Sequence, residues 1–256
     1  YNHSKNNDFW NSCVMLYIKP REYLLKNEEY MKNTIISFLY KSTLPFFIMF
    51  LSGCPNFLQG DGNYPQSYNL PESRITVSTV QELMDAVKTG DQTIVMEPGT
   101  YTLSSPVYIW EENTAIISSS GNREDVVIQG NGMEGSVGWV FDVYASYFSV
   151  RNISLGDVHY HGIQIHGEYD ADYLYVSGVR FFDINQQMIK GSFDSNQPGK
   201  HSDYGIVENS LFEYTAGQAN QYYCGGIDVH RANYWIVRGN EFRNINNPGG
   251  NLTEGA

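Results

Sequence analysis

The chain carries one nine-residue pattern four times: YFSVRNISL (147–155), YLYVSGVRF (173–181), YGIVENSLF (204–212) and YWIVRGNEF (234–242). Each copy begins with Tyr, has Val at its fourth position and Asn or Gly at its sixth, and ends in Leu or Phe. Successive copies start 26, 31 and 30 residues apart, within the range of roughly 20–50 residues that is typical of solenoids and propellers. Because no helical pattern separates the copies, the sequence predicts a β-solenoid.

Each position of the pattern has an expected physical role. The valines and the terminal apolar residues should point inward and stack on one another from coil to coil. These residues are Val150, Val176, Val207, Val237, Leu155, Phe181, Phe212 and Phe242. The sixth position should form a bend with positive φ, which favours Gly and Asn; it holds Asn152, Gly178, Asn209 and Gly239. The initial tyrosines predict a structural ladder, with a sugar-stacking surface as the alternative.

A short helix is predicted before the repeats, in TVQELMDAVKTG (79–90). Thr79 and Glu82 have the spacing of a capping box. One helical face carries Val80, Leu83, Met84 and Val87, and Gly90 is expected to end the helix.

The helix, the element EPGTY (97–101) and the repeat together resemble the right-handed parallel β-helix proteins of the pectate-lyase-like superfamily, over about residues 75–256. The resemblance implies an all-β fold, a right-handed parallel β-helix (solenoid) with a short N-terminal capping α-helix. No matching C-terminal cap is present in the sequence, and an uncapped coil leaves an open sheet edge. We therefore expect a fragment that is truncated at its C-terminus.

The segment MKNTIISFLYKSTLPFFIMFLSGC (31–54) has the layout of an export signal: a basic residue, an apolar run and a small-residue end. Its last four residues resemble the bacterial lipobox, which implies lipidation of Cys54 and anchoring to a membrane. We expect four parts: 1–30, upstream or non-native sequence; 31–53, the signal peptide; 54–74, a flexible tether; and 75–256, the β-helix domain. The chain is then exported to the bacterial cell envelope or secreted, and Cys224 is expected to be a buried structural thiol.

The net charge of the chain limits the classes of binding partner that we expect. The formal net charge is −12, and residues 1–50 hold six of the 16 basic and four of the 28 acidic residues, which leaves 10 basic and 24 acidic groups. This excess of negative charge disfavours nucleic acid as a partner. A polyanionic substrate requires a local basic cluster or a bound cation.

Three further strands follow the bends: GIQIHG (162–167), QMIKGS (187–192) and GIDVHR (226–231). Aligned on Ile165, Ile189 and Val229 as inward residues, they place His166, Lys190 and His230 in one outward column. Gln164, Met188 and Asp228 form the next column. A lysine between two imidazoles should have a lowered pKa and could serve as a base. Asp228 could orient His230 or bind a cation.

VHYHGIQIHG (158–167) holds three of the six histidines. His159 and His161 would share a strand face, as in a zinc site, but His166 has the opposite parity. The favoured interpretation is that His159 and His161 precede the strand.

The family resemblance implies a reaction as well as a fold. Several parallel β-helix enzymes are polysaccharide lyases for uronate polymers, and one group of them uses a lysine base with an arginine and often calcium. Lys190 looks similar to that lysine, and Arg231 and Arg238 are the candidates for the arginine. We therefore expect β-elimination on acidic polysaccharide, with Lys190, His166, His230 and Arg231 as catalytic candidates. The candidates for substrate binding are Gln164, Asp228 and Arg238, with Asp228 as a possible Ca²⁺ ligand.

Two alternatives stay open. A glycoside hydrolase on the same fold requires two suitably spaced carboxylates, for which Asp228 with Asp203 or Glu208 are candidates. A surface solenoid that binds glycans without cleaving them would use its tyrosines for stacking.

Overall fold

The computed structural model describes residues 68–251. Its strands form three sheets in which every neighbouring pair is parallel. The predicted signal peptide and Cys54 lie outside the described residues. Within residues 68–251, no helix is both long enough and apolar enough to span a bilayer.

The seven-stranded sheet consists, in spatial order, of β1 (Ser73–Val77), β2 (Gln92–Met96), β5 (Thr114–Ser118), β8 (Ser149–Arg151), β11 (Tyr175–Ser177), β14 (Ile206–Glu208) and β17 (Ile236–Arg238). The six-stranded sheet consists of β3 (Gly99–Thr102), β6 (Val126–Gln129), β9 (Ser154–Val158), β12 (Arg180–Ile184), β15 (Leu211–Glu213) and β18 (Glu241–Arg243). The five-stranded sheet consists of β4 (Val107–Ile109), β7 (Trp139–Val143), β10 (His161–His166), β13 (Gln187–Ser192) and β16 (Gly225–Val229). From β2 onward the chain visits the three sheets in turn, so each circuit adds one strand to each sheet. The fold is a parallel β-helix.

The core is built from the predicted inward columns. Val150, Val176 and Val207 are fully buried and pair with one another across β8, β11 and β14. Phe181 and Phe212 stack with their ring centroids 4.7 Å apart. Phe242 continues this stack but is 38% exposed, because its strand β18 is the last in its sheet among residues 68–251.

The predicted bends have the expected left-handed conformation. The φ angles are 53° at Asn152, 65° at Gly178, 52° at Asn209 and 64° at Gly239. The alternation of Asn and Gly has a steric cause as well. A Cβ atom on Gly178 would lie 2.3 Å from Asn152 Oδ1, so the amide of one coil occupies the space above the glycine of the next.

The tyrosines that open each copy form the predicted ladder. Tyr147, Tyr173, Tyr204 and Tyr234 stack with centroid distances of 4.5, 5.0 and 5.1 Å. All four have φ between 61° and 62°, a second bend that the sequence did not indicate because tyrosine seldom adopts this conformation. Parallel stacking across coils compensates the strain, so the structural interpretation of the ladder accounts for its regularity.

Part of the predicted tether belongs to the solenoid. Strand β1 begins at Ser73, two residues before the expected domain boundary at residue 75. Tyr68 packs edge-on against the ladder, and its hydroxyl donates to the carbonyl oxygen of Tyr204 at 2.7 Å. Its own carbonyl accepts a hydrogen bond from Arg151. These contacts join residues that are distant in sequence, so a local hydrophobic pattern could not predict them.

Helix α1 (Val80–Ala86) has the predicted capping box, with Thr79 and Glu82 each bonded to the other's backbone. Leu83 is fully buried, as predicted. The predicted end is wrong: the helix stops at Ala86, with Val87 as its cap in the right-handed region. Gly90 serves close packing instead, because a Cβ there would lie 2.6 Å from the carbonyl oxygen of Glu112.

The bend geometry makes Gly178→Ala a sharp test of coil stacking. A non-glycine residue at positive φ costs about 1–2 kcal/mol, and the contact with Asn152 Oδ1 adds to this. We expect a loss of at least about 1–2 kcal/mol in the free energy of unfolding, measured by denaturant titration. Gly199→Ala is the matched control, since its Cβ would meet nothing within 4 Å; equal stability of the two variants would contradict the packing described here.

Candidate active site on the five-stranded sheet

The register of the five-stranded sheet differs from the predicted alignment by two residues at β13. Ile163 pairs with Ile189, and Ile189 with Ile227. The outward side of the sheet, here called the site face, therefore has Gln164, Lys190 and Asp228 in one row. The predicted column of His166, Lys190 and His230 is wrong, as is the predicted row with Met188, which is fully buried.

The cause of the shift is a glycine in an inward position. Gly191 pairs with Ile165 on one side and Val229 on the other. A Cβ on Gly191 would lie 2.3 Å from Val229 Cγ1, so the larger valine of the next coil fills its space. Glycine does not stand out as a core residue in a hydrophobic pattern. The pattern therefore aligned Ile189, instead of Gly191, with Ile165 and Val229.

Lys190 is the centre of a polar cluster. Its Nζ lies 2.5 Å from Asp228 Oδ2, 3.1 Å from the hydroxyl of Tyr223 and 3.1 Å from His230 Nε2. An ammonium group has three hydrogen-bond donors, and three acceptors surround it here. The structure thus brings Lys190, His230 and Asp228 together, as the sequence predicted, although through a different register.

The electrostatics of this cluster contradict the prediction for Lys190. Burial opposes the charge, but the hydrogen bonds that Lys190 donates to Asp228 and Tyr223 outweigh it and raise the pKa of Lys190 above its ordinary value. The sequence predicted a lowered pKa because it placed two imidazoles beside the ammonium, where the structure has a carboxylate. Lys190 is therefore a cation at neutral pH and does not have the form of a base.

Tyr223 was not predicted. It lies in the segment between β15 and β16, directly before Cys224, which is buried as expected. The ring of Tyr223 is half exposed, and Lys190 Nζ lies 5.6 Å from its centroid. The segment has no repeat register, so no periodic signal pointed to Tyr223; the adjacent pair Tyr222 and Tyr223 was the available hint.

His166 belongs to a second cluster on the site face. Its Nε2 lies 2.7 Å from Asp142 Oδ1 and its Nδ1 lies 2.8 Å from Glu168 Oε1. Burial opposes protonation, yet the hydrogen bonds to the two carboxylates raise the pKa of His166. The hydroxyl of Ser192 lies 3.3 Å from Nδ1 and also donates to Glu168. Although Ser192, His166 and Asp142 suggest a nucleophilic triad, a protonated imidazole cannot accept the serine proton.

His161 is the first residue of β10, not part of the preceding turn, whereas His159 lies in that turn as expected. Nδ1 of His161 donates to the carbonyl oxygen of Gln187 at 2.8 Å, which fixes the tautomer of His161 with Nε2 as acceptor. Burial lowers the pKa of His161 from 6.5 to about 4. His161 is therefore neutral near pH 7; the charge of Lys190 also lowers its pKa, and that of Asp228 raises it.

The two candidate arginines lie outside the cluster. Arg231 donates to the carbonyl oxygens of Asp194 and Gln197 and stacks on Phe193, so it holds the loop after β13. Arg238 is on β17 in the seven-stranded sheet and is paired with Glu208. The site therefore has to work without these two guanidinium groups.

Gln164 lies in the correct row but is buried, with its amide bonded to the carbonyl of Ile165. The carboxylate of Asp228 faces an ammonium, which does not suit it as a calcium ligand. Within residues 68–251, no group of three or more His, Cys, Asp or Glu side chains is arranged to hold a metal ion.

Comparisons with known proteins add little detail. No protein-family model matches the chain, and no curated protein matches it. A search of solved structures found an alginate lyase from Paenibacillus sp. str. FPU-7 with a TM-score of 0.46 and 15% sequence identity. The match covers 66% of this chain and 66% of that protein, so the chain spans just under two thirds of its length.

The buried neutral state of His161 predicts acid sensitivity. Because the pKa of His161 is lower in the folded chain than in the unfolded chain, the unfolded chain binds the proton more readily. The contribution of neutral His161 to stability is therefore fully present above pH 6.5 and is lost as the pH falls to about 4. The loss amounts to about 3 kcal/mol. We expect His161→Asn, which keeps a donor for the Gln187 carbonyl, to reduce the fall in the free energy of unfolding between these pH values.

His159→Asn is the control, because His159 makes the same kind of bond to the Met133 carbonyl in a more exposed setting. If both variants showed the same pH dependence of unfolding as the wild type, burial of neutral His161 would not be the cause of acid sensitivity.

Proposed function

We propose that this protein is a polysaccharide lyase that cleaves uronate-containing glycans by β-elimination at the cluster around Lys190. The observation that carries the proposal is the meeting of an ammonium, a phenol, an imidazole and a carboxylate on an open sheet face. These groups come from two successive coils and one connecting segment, so they converge only in the folded chain.

The first requirement of elimination is a positive charge at the uronate carboxylate, because removal of the α-proton places a second negative charge there. Lys190 supports this role. Its raised pKa keeps it charged, and the charge is fixed in place by Asp228 before a substrate arrives. Such preorganisation means that little rearrangement accompanies the reaction. The role differs from the base that the sequence suggested.

The second requirement is a pair of proton-transfer groups, which we assign to His230 and Tyr223. His230 Nε2 accepts from Lys190 in the free protein. A uronate carboxylate that bonds to Lys190 Nζ in place of His230 frees Nε2 to take the α-proton as the C–H bond breaks. Tyr223 accepts from Lys190, so its own hydroxyl proton is available for the leaving glycosidic oxygen. The two transfers leave a carbon–carbon double bond in one product and a new hydroxyl in the other.

The hydrolase alternative has less support from the carboxylate positions. Asp142 and Asp228 share the row of Lys190 but are separated by three strand spacings, about 14 Å. Glycosidase carboxylates are about 5–9.5 Å apart. Glu208 lies on the seven-stranded sheet, and Asp203 is bonded to Asn233 before β14. Neither residue forms with Asp228 the carboxylate pair that the hydrolase alternative requires.

The proposal includes a location and a partner. The pattern of residues 31–54 supports export and a lipid anchor at Cys54. An acidic polysaccharide outside the cell is a suitable substrate for an acidic protein only where a local cation overrides the overall charge of −12. Lys190 supplies that cation.

Lys190→Ala tests the proposal most directly. We expect turnover of uronate polymers to fall by about 10²–10³-fold, the usual effect of removing one group that stabilises a developing anion. The assay measures the ultraviolet absorbance of the unsaturated product, over a panel of all-uronate polymers and polymers that alternate uronate with hexosamine. Lys200→Ala is the control, since Lys200 lies in the connection after β13 and pairs with Asp170. Absence of unsaturated product from the wild type across the panel would contradict the lyase assignment.

Tyr223→Phe separates proton donation from charge. The variant keeps the ring beside Lys190 but loses the hydroxyl proton, and we expect turnover to fall by about 10²-fold or more, with substrate affinity little changed. Tyr222→Phe is the matched control. The neighbouring side chain of Tyr222 is 72% exposed, and its hydroxyl makes no hydrogen bond to residues 68–251. Equal turnover in both variants would exclude Tyr223 as the donor.

A further inference from the structure

The exposed aromatic residues among residues 68–251 are concentrated on or beside the strands of one sheet. Among residues 68–251, eleven large hydrophobic side chains are exposed, and seven of them lie on or beside strands of the five-stranded sheet. These seven are Tyr108, Trp110, Tyr160, Tyr169, Phe193, Tyr222 and Tyr223. Aromatic rings with exposed faces are suited to contact with sugar rings, whose faces are largely C–H.

Within this set, Trp110 heads a continuous stack. Its ring lies parallel to that of Tyr144 with centroids 3.8 Å apart, and Tyr144 lies parallel to the imidazole of His166 at 4.0 Å. Tyr169 packs edge-on against Trp110 and Tyr144. The register continues this row through Ser192 to His230, which contacts Lys190. The stack and the proposed catalytic cluster therefore belong to one track along the solenoid.

The stack is fixed and its outer end is open. Tyr144 is held between two rings, and its hydroxyl donates to Asp142 Oδ2 at 3.0 Å. His166 is held between Asp142 and Glu168. Trp110 follows β4, which is the last strand of its sheet among residues 68–251, so no neighbouring coil within that range covers its second face. Trp110 is 54% exposed.

The charge at the stack differs from that at Lys190. Two carboxylates, Asp142 and Glu168, surround a single imidazolium, which leaves an excess of negative charge beside the rings. A uronate placed there would be repelled, whereas an uncharged sugar would keep the full stacking contact. Three strand spacings, about 14 Å, separate β4, which precedes Trp110, from β13, which carries Lys190.

We propose that Trp110, Tyr144 and Tyr169 form a subsite for an uncharged sugar of the same glycan whose uronate lies at Lys190. The substrate class is thus a heteropolysaccharide in which uronates are separated by neutral sugars. This proposal rests on the proposed function for its choice of ligand. The subsite itself requires only that a glycan lies along the track.

Trp110→Ala is the test, with hyaluronan octasaccharide as the alternating probe and oligoglucuronate of equal length as the all-uronate probe. Affinity is measured by calorimetry, or as KM where the probe is cleaved. We expect about tenfold weaker binding of hyaluronan octasaccharide, unchanged kcat, recovery of most of the affinity in Trp110→Phe, and no effect on a disaccharide that is too short to reach the stack.

Several outcomes would overturn the subsite. One is equal affinity of Trp110→Ala and the wild type for the octasaccharide, including the case in which neither binds it. Another is an equal dependence on Trp110 for the all-uronate probe. A third is a lowered Tm with unchanged glycan affinity, which would show that another part of the chain covers Trp110.

The same measurements distinguish this inference from the lyase assignment. Unsaturated products that form with the wild-type KM in Trp110→Ala would leave the lyase standing and remove the subsite. Binding that depends on Trp110, with no product from any polymer, would leave the subsite standing in a glycan-binding protein.

Discussion

Parallel pairing of each strand with the same strand of the next coil is the constraint on which the rest of this structure depends. Because the strands are about 4.8 Å apart, each side chain has its nearest neighbours one coil above and one coil below. Rings of equal position then stack, as the four tyrosines do at 4.5–5.1 Å. Bulky residues are tolerated only where the adjacent coil leaves room. The alternation of Asn152 with Gly178 and the pairing of Gly191 with Val229 are direct consequences.

The same constraint decides the polar surface. Charged residues at equal positions on neighbouring coils lie close enough to interact strongly, and on two of the sheets opposite charges pair. Glu208 is paired with Arg238 on the seven-stranded sheet, and Glu213 lies between Arg180 and Arg243 on the six-stranded sheet. These pairs stabilise the walls. On the site face the pattern is less complete, since Lys190 has Asp228 above it and the uncharged Gln164 below it.

This incomplete pairing gives the site face its chemistry. The ammonium of Lys190 is strongly held yet adjoins two exposed polar side chains, Tyr223 and His230. The imidazolium of His166, in contrast, lies between two carboxylates and supports an aromatic stack. One sheet face thus combines a cationic region with an aromatic region of opposite charge.

The sequence by itself determined the fold class, the inward columns, the positive-φ bends at Asn152 and Gly178, the capping box and the tyrosine ladder. Each of these depends on local conformation or on repetition at one position, and both are visible in a single chain. The sequence also indicated that Lys190, Asp228 and His230 meet on an outward face.

Only the tertiary structure decided which residues are neighbours in that face and what charge they carry. Gly191 occupies a core position that hydrophobicity does not mark, so the alignment of β13 was two residues out and the predicted pKa of Lys190 had the wrong direction. Tyr223 comes from an aperiodic connection, and the partners of His166 lie on another coil and in the turn that follows β10. Side chains that are distant in sequence, or that follow no repeat, become neighbours through the stacking of coils, and their electrostatics follow from that contact alone.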